Sequence, residues 1–170
     1  KRQVHSGVRT ILRAALGGEL LEGDEEDVLK ELGLLIARLD PDVIITHRGD
    51  EFVLPCIYAR AGALGLAGEP NLGREPDGAM RARRGRSYMT YGRMVYRPAP
   101  MTLKGRWHID ASRFIYSQGG LEGLIDLSRL AGLPVQDTCR MTPGSAISAM
   151  QVHRAMAGGW AVPYRKNRPE

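Results

Sequence analysis

The sequence predicts an α/β or α+β chain in which strands and helices alternate before a hairpin and a helical tail. Three observations carry that prediction. Apolar Val28, Leu29, Leu32, Leu35, Ile36 and Leu39 recur at the spacing of one helix face. The fully apolar run Val43-Ile44-Ile45 follows almost at once, as a buried strand would. Strand-like SYMTYG, RMVYRP and GRWHIDA then precede three more helical stretches, which excludes a pure bundle. A chain of 170 residues can bury one sizeable core, so the expectation is one domain with some appended helix.

Taken in order, residues 4–16 mix β-branched and apolar side chains and are expected to form a strand, with GELLEG as the turn after it. Asp24 suits an N-cap, and Glu25, Glu26 and Asp27 place carboxylates where they favour the helix dipole. That predicts a helix over 25–39, ended at Asp40-Pro41 because a residue before proline avoids the α region. A second helix is expected over 53–66, with Pro55 tolerated in its first turn. Residues 67–86 carry many Gly, Pro and Arg and read as irregular. SYMTYG, RMVYRP and GRWHIDA then suggest a small β-ribbon over about 87–110, with APMTLKG as the intervening segment. Helices are expected over 120–131, 134–140 and 144–157. The last starts at Thr142-Pro143 and stops at Gly158-Gly159, and AVPYRKNRPE reads as a linker. Phe52 and Trp107 are expected in the core.

Composition narrows the function classes. No run reaches the roughly 18 apolar residues of a membrane span, and KRQVHSGVRT lacks the apolar centre of a signal peptide. Cys56 and Cys139 are isolated from one another and lack metal-ligand spacing, which suggests reduced thiols and a cytoplasmic protein. The net charge of +5 is unevenly spread. Residues 1–73 hold eight basic against twelve acidic residues, whereas residues 74–113 hold ten against three. So local an excess points to a polyanionic partner. Nucleic acid is favoured over membrane, because no basic amphipathic helix accompanies it.

The stretch DPDVIITHRGDEFVLPCIYARAGALG resembles the second exonuclease motif of family B DNA polymerases, where a strand ending Thr-Tyr-Asn-Gly-Asp-x-Phe-Asp runs into a helix. GRWHID resembles the strand and aspartate that follow that family's β-hairpin. LSRLAGLPVQDTCRMTPGSAISAMQVHRAM is similar to the helices joining exonuclease domain to polymerase palm, and GSAISAMQVHRAM is most similar to a divergent archaeal branch with degraded motifs. The blocks stand in the family's order over roughly residues 24–66 and 104–157. The resemblance implies an incomplete RNase H-like fold: a degenerate exonuclease-like domain over 1–132, then helices and a linker over 133–170 leading toward a palm domain.

In that family, carboxylates hold two divalent metals that activate water at a DNA 3′ end. Hard cations need several oxygen ligands, so the identity of each motif residue matters. Matched residue by residue, the family's asparagine falls on Arg48 and its metal-binding aspartate on Val53, while Gly49, Asp50 and Phe52 match the turn and its packing residue. The first motif, Asp-x-Glu, does not occur in residues 1–23, so the sequence is expected to begin after it. The third, Tyr-Ser-x-x-Asp, is matched by Tyr116-Ser117-Gln118-Gly119-Gly120, with Gly120 in place of aspartate. The resemblance therefore implies no cofactor for this chain, and Mg²⁺ only for a parent polymerase.

Two carboxylates remain as candidate metal ligands. Asp50 reads either as a relocated ligand or as a turn and helix-start carboxylate; Asp110 reads as a ligand or a cap. His47, His108 and His153 lack ligand spacing and are expected in structural or surface roles. The basic stretch Arg81, Arg83, Arg84 and Arg86 runs into Arg93 and Arg97, with Tyr88, Tyr91 and Tyr96 interleaved. Guanidinium groups pair with phosphates and aromatic rings stack on bases. Arg48 is a further phosphate candidate, standing where a metal site has lost its ligands. The expected function is a non-catalytic domain that holds primer or template DNA or braces a polymerase palm. The alternatives are an active metal-dependent 3′–5′ exonuclease with unusual ligands, or a protein-interaction scaffold.

Overall fold

The structure is a computed structural model that describes residues 13–16, 18–66, 68–76, 79–81, 85–90, 92–97 and 99–162. The chain divides into two compact units, residues 1–108 and 109–170. The sequence expectations for residues 4–12, for the linker beyond 162, and for Arg83, Arg84 and Tyr91 lie outside the described residues.

In the first unit, β1 (Arg13–Leu16) pairs antiparallel with β2 (Glu19–Glu22), in register from Arg13↔Glu22 to Leu16↔Glu19. Four of the six residues of GELLEG are therefore strand, not a turn. The reversal falls earlier, ahead of Glu19, where Gly18 adopts φ +90°, which glycine alone reaches cheaply. Helix α1 (Glu25–Leu39) starts and stops where its pattern predicts, although Asp24 makes no side-chain cap bond. Its C-cap is Asp40 in the left-handed region, donating its N–H to the Ile36 carbonyl. Val28, Leu29, Leu32, Leu35 and Ile36 are buried, whereas Leu39 is exposed beyond the last covered turn. Each fully buried leucine contributes about 1.5–3 kcal/mol. Glu25, buried at the helix start, holds Arg60 in a two-pronged pair, with Arg60 Nε to Glu25 Oε1 at 2.7 Å.

Strand β3 (Val43–Thr46) leads through a π-helical turn, Gly49–Val53, into α2 (Leu54–Ala63), with Pro55 in the first α-helical turn as expected. β3 is not buried on both sides: Ile44 faces the core and Ile45 is exposed. β4 (Ala79–Arg81) pairs antiparallel with β7 (Met101–Leu103), and β5 (Arg86–Thr90) pairs antiparallel with β6 (Arg93–Arg97). The ribbon is thus two short ladders, with β4 inside the stretch read as irregular. β8 (Trp107–Asp110) is not its third strand. It pairs instead with β3, the Trp107 N–H donating to the Asp42 carbonyl. One core of Leu21, the α1 face, Ile44, Leu54, Leu72, Met101 and Leu103 sits beneath these elements.

A charge latch ties three loops of this unit together. Arg74 donates to Asp40 Oδ1 at 2.9 Å, to Asp42 Oδ1 at 2.8 Å and to the Gly105 carbonyl at 3.1 Å. Arg106, buried, donates to Asp40 Oδ1 at 2.9 Å and to the Pro41 carbonyl. The Arg74 hydrogen bond holds the Asp40 carboxyl below its ordinary value.

The second unit is helical. α3 (Phe114–Ala131) comprises two helical segments joined at a kink on Gly120, and it begins before the expected position. α4 (Val135–Cys139) and α5 (Pro143–Ala157) follow the sequence reading, and Thr142 Oγ1 accepts the Ser145 N–H at 3.2 Å as the cap of α5. α5 docks on α3 at Gly132, whose missing Cβ leaves room for the His153 ring, and His153 Nδ1 donates to the Leu130 carbonyl at 3.0 Å.

Candidate nucleic-acid interface and the second-motif turn

The second-motif turn is wound by a π-type hydrogen bond. Arg48 takes a left-handed conformation, φ 59° and ψ 35°, and its carbonyl accepts the Phe52 and Val53 N–H groups at 2.9 and 3.2 Å. That extra residue per turn rotates the segment against an α-helical expectation. Phe52, expected in the core, is 56% exposed, and Leu54 takes the buried position. Trp107, also expected in the core, is 43% exposed as the outward residue at the start of β8. Val53 is half-buried and offers no donor atom to a cation.

Asp50 lies at the centre of a buried polar network. It is 1% exposed, and its Oδ1 accepts the Met101 N–H at 2.9 Å. His108, 0% exposed, donates from Nδ1 to the Met101 carbonyl at 2.6 Å and stands 3.6 Å from Asp50 Oδ1. On the other side of the ring, His108 Nε2 and the Thr46 hydroxyl lie 2.8 Å apart in a hydrogen bond. Gly49 is required beside it, because a Cβ there would overlap Thr46 Oγ1 and His108 Nε2. A buried carboxylate needs such partners, since leaving one unpaired costs several kcal/mol. His108 belongs to the structural class expected of it. The extent of its network was not legible, because Thr46 and Met101 lie far from one another in sequence.

Asp110 is equally engaged, within the second unit. Its Oδ1 accepts the Ser112 N–H at 3.1 Å and the Ser112 hydroxyl at 2.6 Å, and Arg113 Nε lies 3.5 Å from Oδ2. This is an Asx-type turn just ahead of α3, whose N-cap position is Arg113 and carries no side-chain cap bond. Among the described residues, no three His, Cys, Asp or Glu side chains converge as a metal-binding group. The second-motif residues do not fit a divalent cation: Val53 cannot ligate, Asp50 is held by Met101 and His108, and Arg48 brings a positive charge.

Arg48 is exposed, with Glu51 Oε2 3.4 Å from its Nε and Nη2. In the ribbon, successive residues of a strand fall on opposite faces. The register Arg86↔Arg97, Tyr88↔Val95 and Thr90↔Arg93 therefore gathers three arginines and Tyr88 on one face. Ser87↔Tyr96 and Met89↔Met94 occupy the other, where Met89, Met94 and Tyr96 are exposed. Tyr96 thus does not interleave with the arginines. Arg81 ends β4, at the root of the ribbon.

Residues 1–122 match the DNA polymerase family B exonuclease domain. The chain belongs to that family. Two curated relatives, both DNA polymerase 1 of Pyrococcus abyssi and one of them from strain GE5/Orsay, are 35% identical over 86 residues. That alignment covers 51% of this chain and 10% of each relative, so the chain spans a small part of the polymerases it matches. Within this exonuclease domain, the matched region contains the second-motif turn, the ribbon and the start of α3. No helix among the described residues is long and apolar enough to cross a membrane.

Proposed function

We propose that this exonuclease domain, built on an RNase H-like plan, binds DNA without cleaving it, holding a primer or template strand or bracing a polymerase palm in a longer protein. The observation that carries the reading is the ribbon register, which collects Arg86, Arg93 and Arg97 with Tyr88 on one face. Guanidinium groups on such a face neutralise successive phosphates, and a tyrosine among them stacks on an unpaired base. Arg48 adds an exposed guanidinium at the turn where the family places a metal-ligand motif. The second-motif turn supports the non-catalytic half of the reading, because Asp50 acts there as scaffold. The longer protein is read as a cytoplasmic DNA-directed DNA polymerase using deoxynucleotides and Mg²⁺; polymerisation is not assigned to these residues.

The test is fluorescence anisotropy of a 3′-labelled single strand in Mg²⁺ across a salt series. Log affinity should fall linearly with log salt, by about 0.7 per phosphate neutralised. Replacing Arg86, Arg93 and Arg97 together with alanine should flatten that slope by about 2. The same samples run on a gel should show intact DNA. Shortened DNA would make the domain a nuclease, and an unchanged slope in the triple variant would remove the ribbon as the DNA surface.

A further inference from the structure

We infer that Asp50 and His108 are positioning residues for the ribbon, clamping the strand from which it springs; the inference rests on the reading that the ribbon contacts DNA. The clamp acts on one backbone residue. Met101 gives its N–H to Asp50 Oδ1 at 2.9 Å and takes a hydrogen bond on its carbonyl from His108 Nδ1 at 2.6 Å. In a strand, the N–H and C=O of one residue point to the same edge. Asp50 and His108 therefore stand where a neighbouring strand would, one accepting and one donating, and close the edge of β7 turned away from β4.

The other edge of β7 is the ribbon's stem. Its ladder with β4 has three pairs, Ala79↔Leu103, Met80↔Thr102 and Arg81↔Met101. Arg81↔Met101 is the last pair before the ribbon, since β5 begins at Arg86 and β6 ends at Arg97. A ladder of two short strands is marginal by itself. What fixes the ribbon's root is thus the second, side-chain edge on Met101. That edge is itself anchored: Thr46 on β3 hydrogen-bonds His108 Nε2 at 2.8 Å, and the Gly49–Val53 turn carries Asp50. A carboxylate in the turn of the second motif here aims an arginine-bearing ribbon.

Loosening the clamp should lower the fraction of molecules whose ribbon is oriented to bind, and apparent affinity falls by that fraction. The arginines remain, so the number of phosphates neutralised is unchanged. The test uses Asp50→Leu, which removes the acceptor, and Asp50→Asn, which keeps an oxygen for the Met101 N–H. Spin labels carried by unnatural amino acids at exposed Glu31 and Met94 report the distance between α1 and the ribbon. The Asp50→Leu protein should show a broadened distance distribution and DNA affinity weaker by about 3–10-fold with an unaltered salt slope. Asp50→Asn should restore both the narrow distribution and most of the affinity. If Asp50→Leu does not fold, Thr46→Val, which removes only the partner of His108 Nε2, serves in its place with smaller changes in the same direction. A folded Asp50→Leu or Thr46→Val protein with the wild-type distance distribution overturns the clamp. Failure of the DNA reading is seen separately, as unchanged DNA affinity in the Arg86, Arg93 and Arg97 variant, while the spin-label distribution still tests the clamp.

Discussion

Gly120, read from the sequence as a third-motif match, offers a sharp test of whether that position is open to a carboxylate. Its backbone, φ 60° and ψ −158°, lies in a region that essentially only glycine occupies. A Cβ there would meet nothing within 4 Å, so no clash at Cβ enters the estimate. Backbone strain sets the cost shared by Gly120→Asp and Gly120→Ala, about 1–3 kcal/mol. The neighbouring Gly119 lies in the first helical segment without a positive φ, and a Cβ there has its nearest neighbour, Leu124 N, at 4.0 Å. Gly119→Asp should therefore stay within about 0.5 kcal/mol of wild type, because the helix no longer carries glycine's backbone entropy. Urea denaturation followed by circular dichroism reads both variants, with Gly120→Ala separating strain from charge. Gly120→Asp and Gly120→Ala should lose midpoint alike, with the slope preserved. Equal stability for the aspartates at 119 and 120 would refute the argument and show that the kink tolerates side chains.

Two other perturbations test separate parts of the first unit. Arg48→Asn places at the left-handed N-cap a residue that tolerates it. It should stabilise by about 0.5 kcal/mol after loss of the exposed Glu51 contact, yet weaken DNA binding; a variant that is less stable than wild type in denaturant would contradict the strain assignment. Burial pushes the Tyr58 phenol up to about 12. The folded state thus keeps the proton longer than the unfolded chain. That contribution is complete below pH 10 and is lost as pH rises toward 12, so stability should fall along an alkaline limb. Tyr58→Phe should flatten that limb, and a limb of undiminished steepness would assign it elsewhere.

Some elements were legible because their cause is local. The apolar spacing from Val28 to Ile36, the acidic first turn and Asp40-Pro41 specify α1 over the residues it occupies. Thr142 and Gly158-Gly159 bound α5 for the same reason, each acting on backbone groups within one turn. β2 was hidden because Leu20 and Leu21 stand between glutamates and glycines that read as a turn; only pairing with β1 makes them strand. Phe52 and Trp107 are apolar, but apolarity does not say which face another layer will cover. The π-type winding and the pairing of β8 with β3 settled both.

The candidate site divides along the same line. The sequence alone determined the chemistry available: valine at position 53, glycine at position 120, and an arginine-rich segment between residues 81 and 97. These are identities, and no fold changes what atoms they carry. Tertiary structure decided their use. Asp50 meets a Met101 amide 51 residues away, and Thr46 meets His108 across 62 residues. Pairings at that range follow from chain closure and burial, in which a carboxylate deprived of water takes the nearest donors, and no local spacing encodes them. The ribbon's basic face arose likewise from register, because one residue of slip would have sent its arginines to opposite sides.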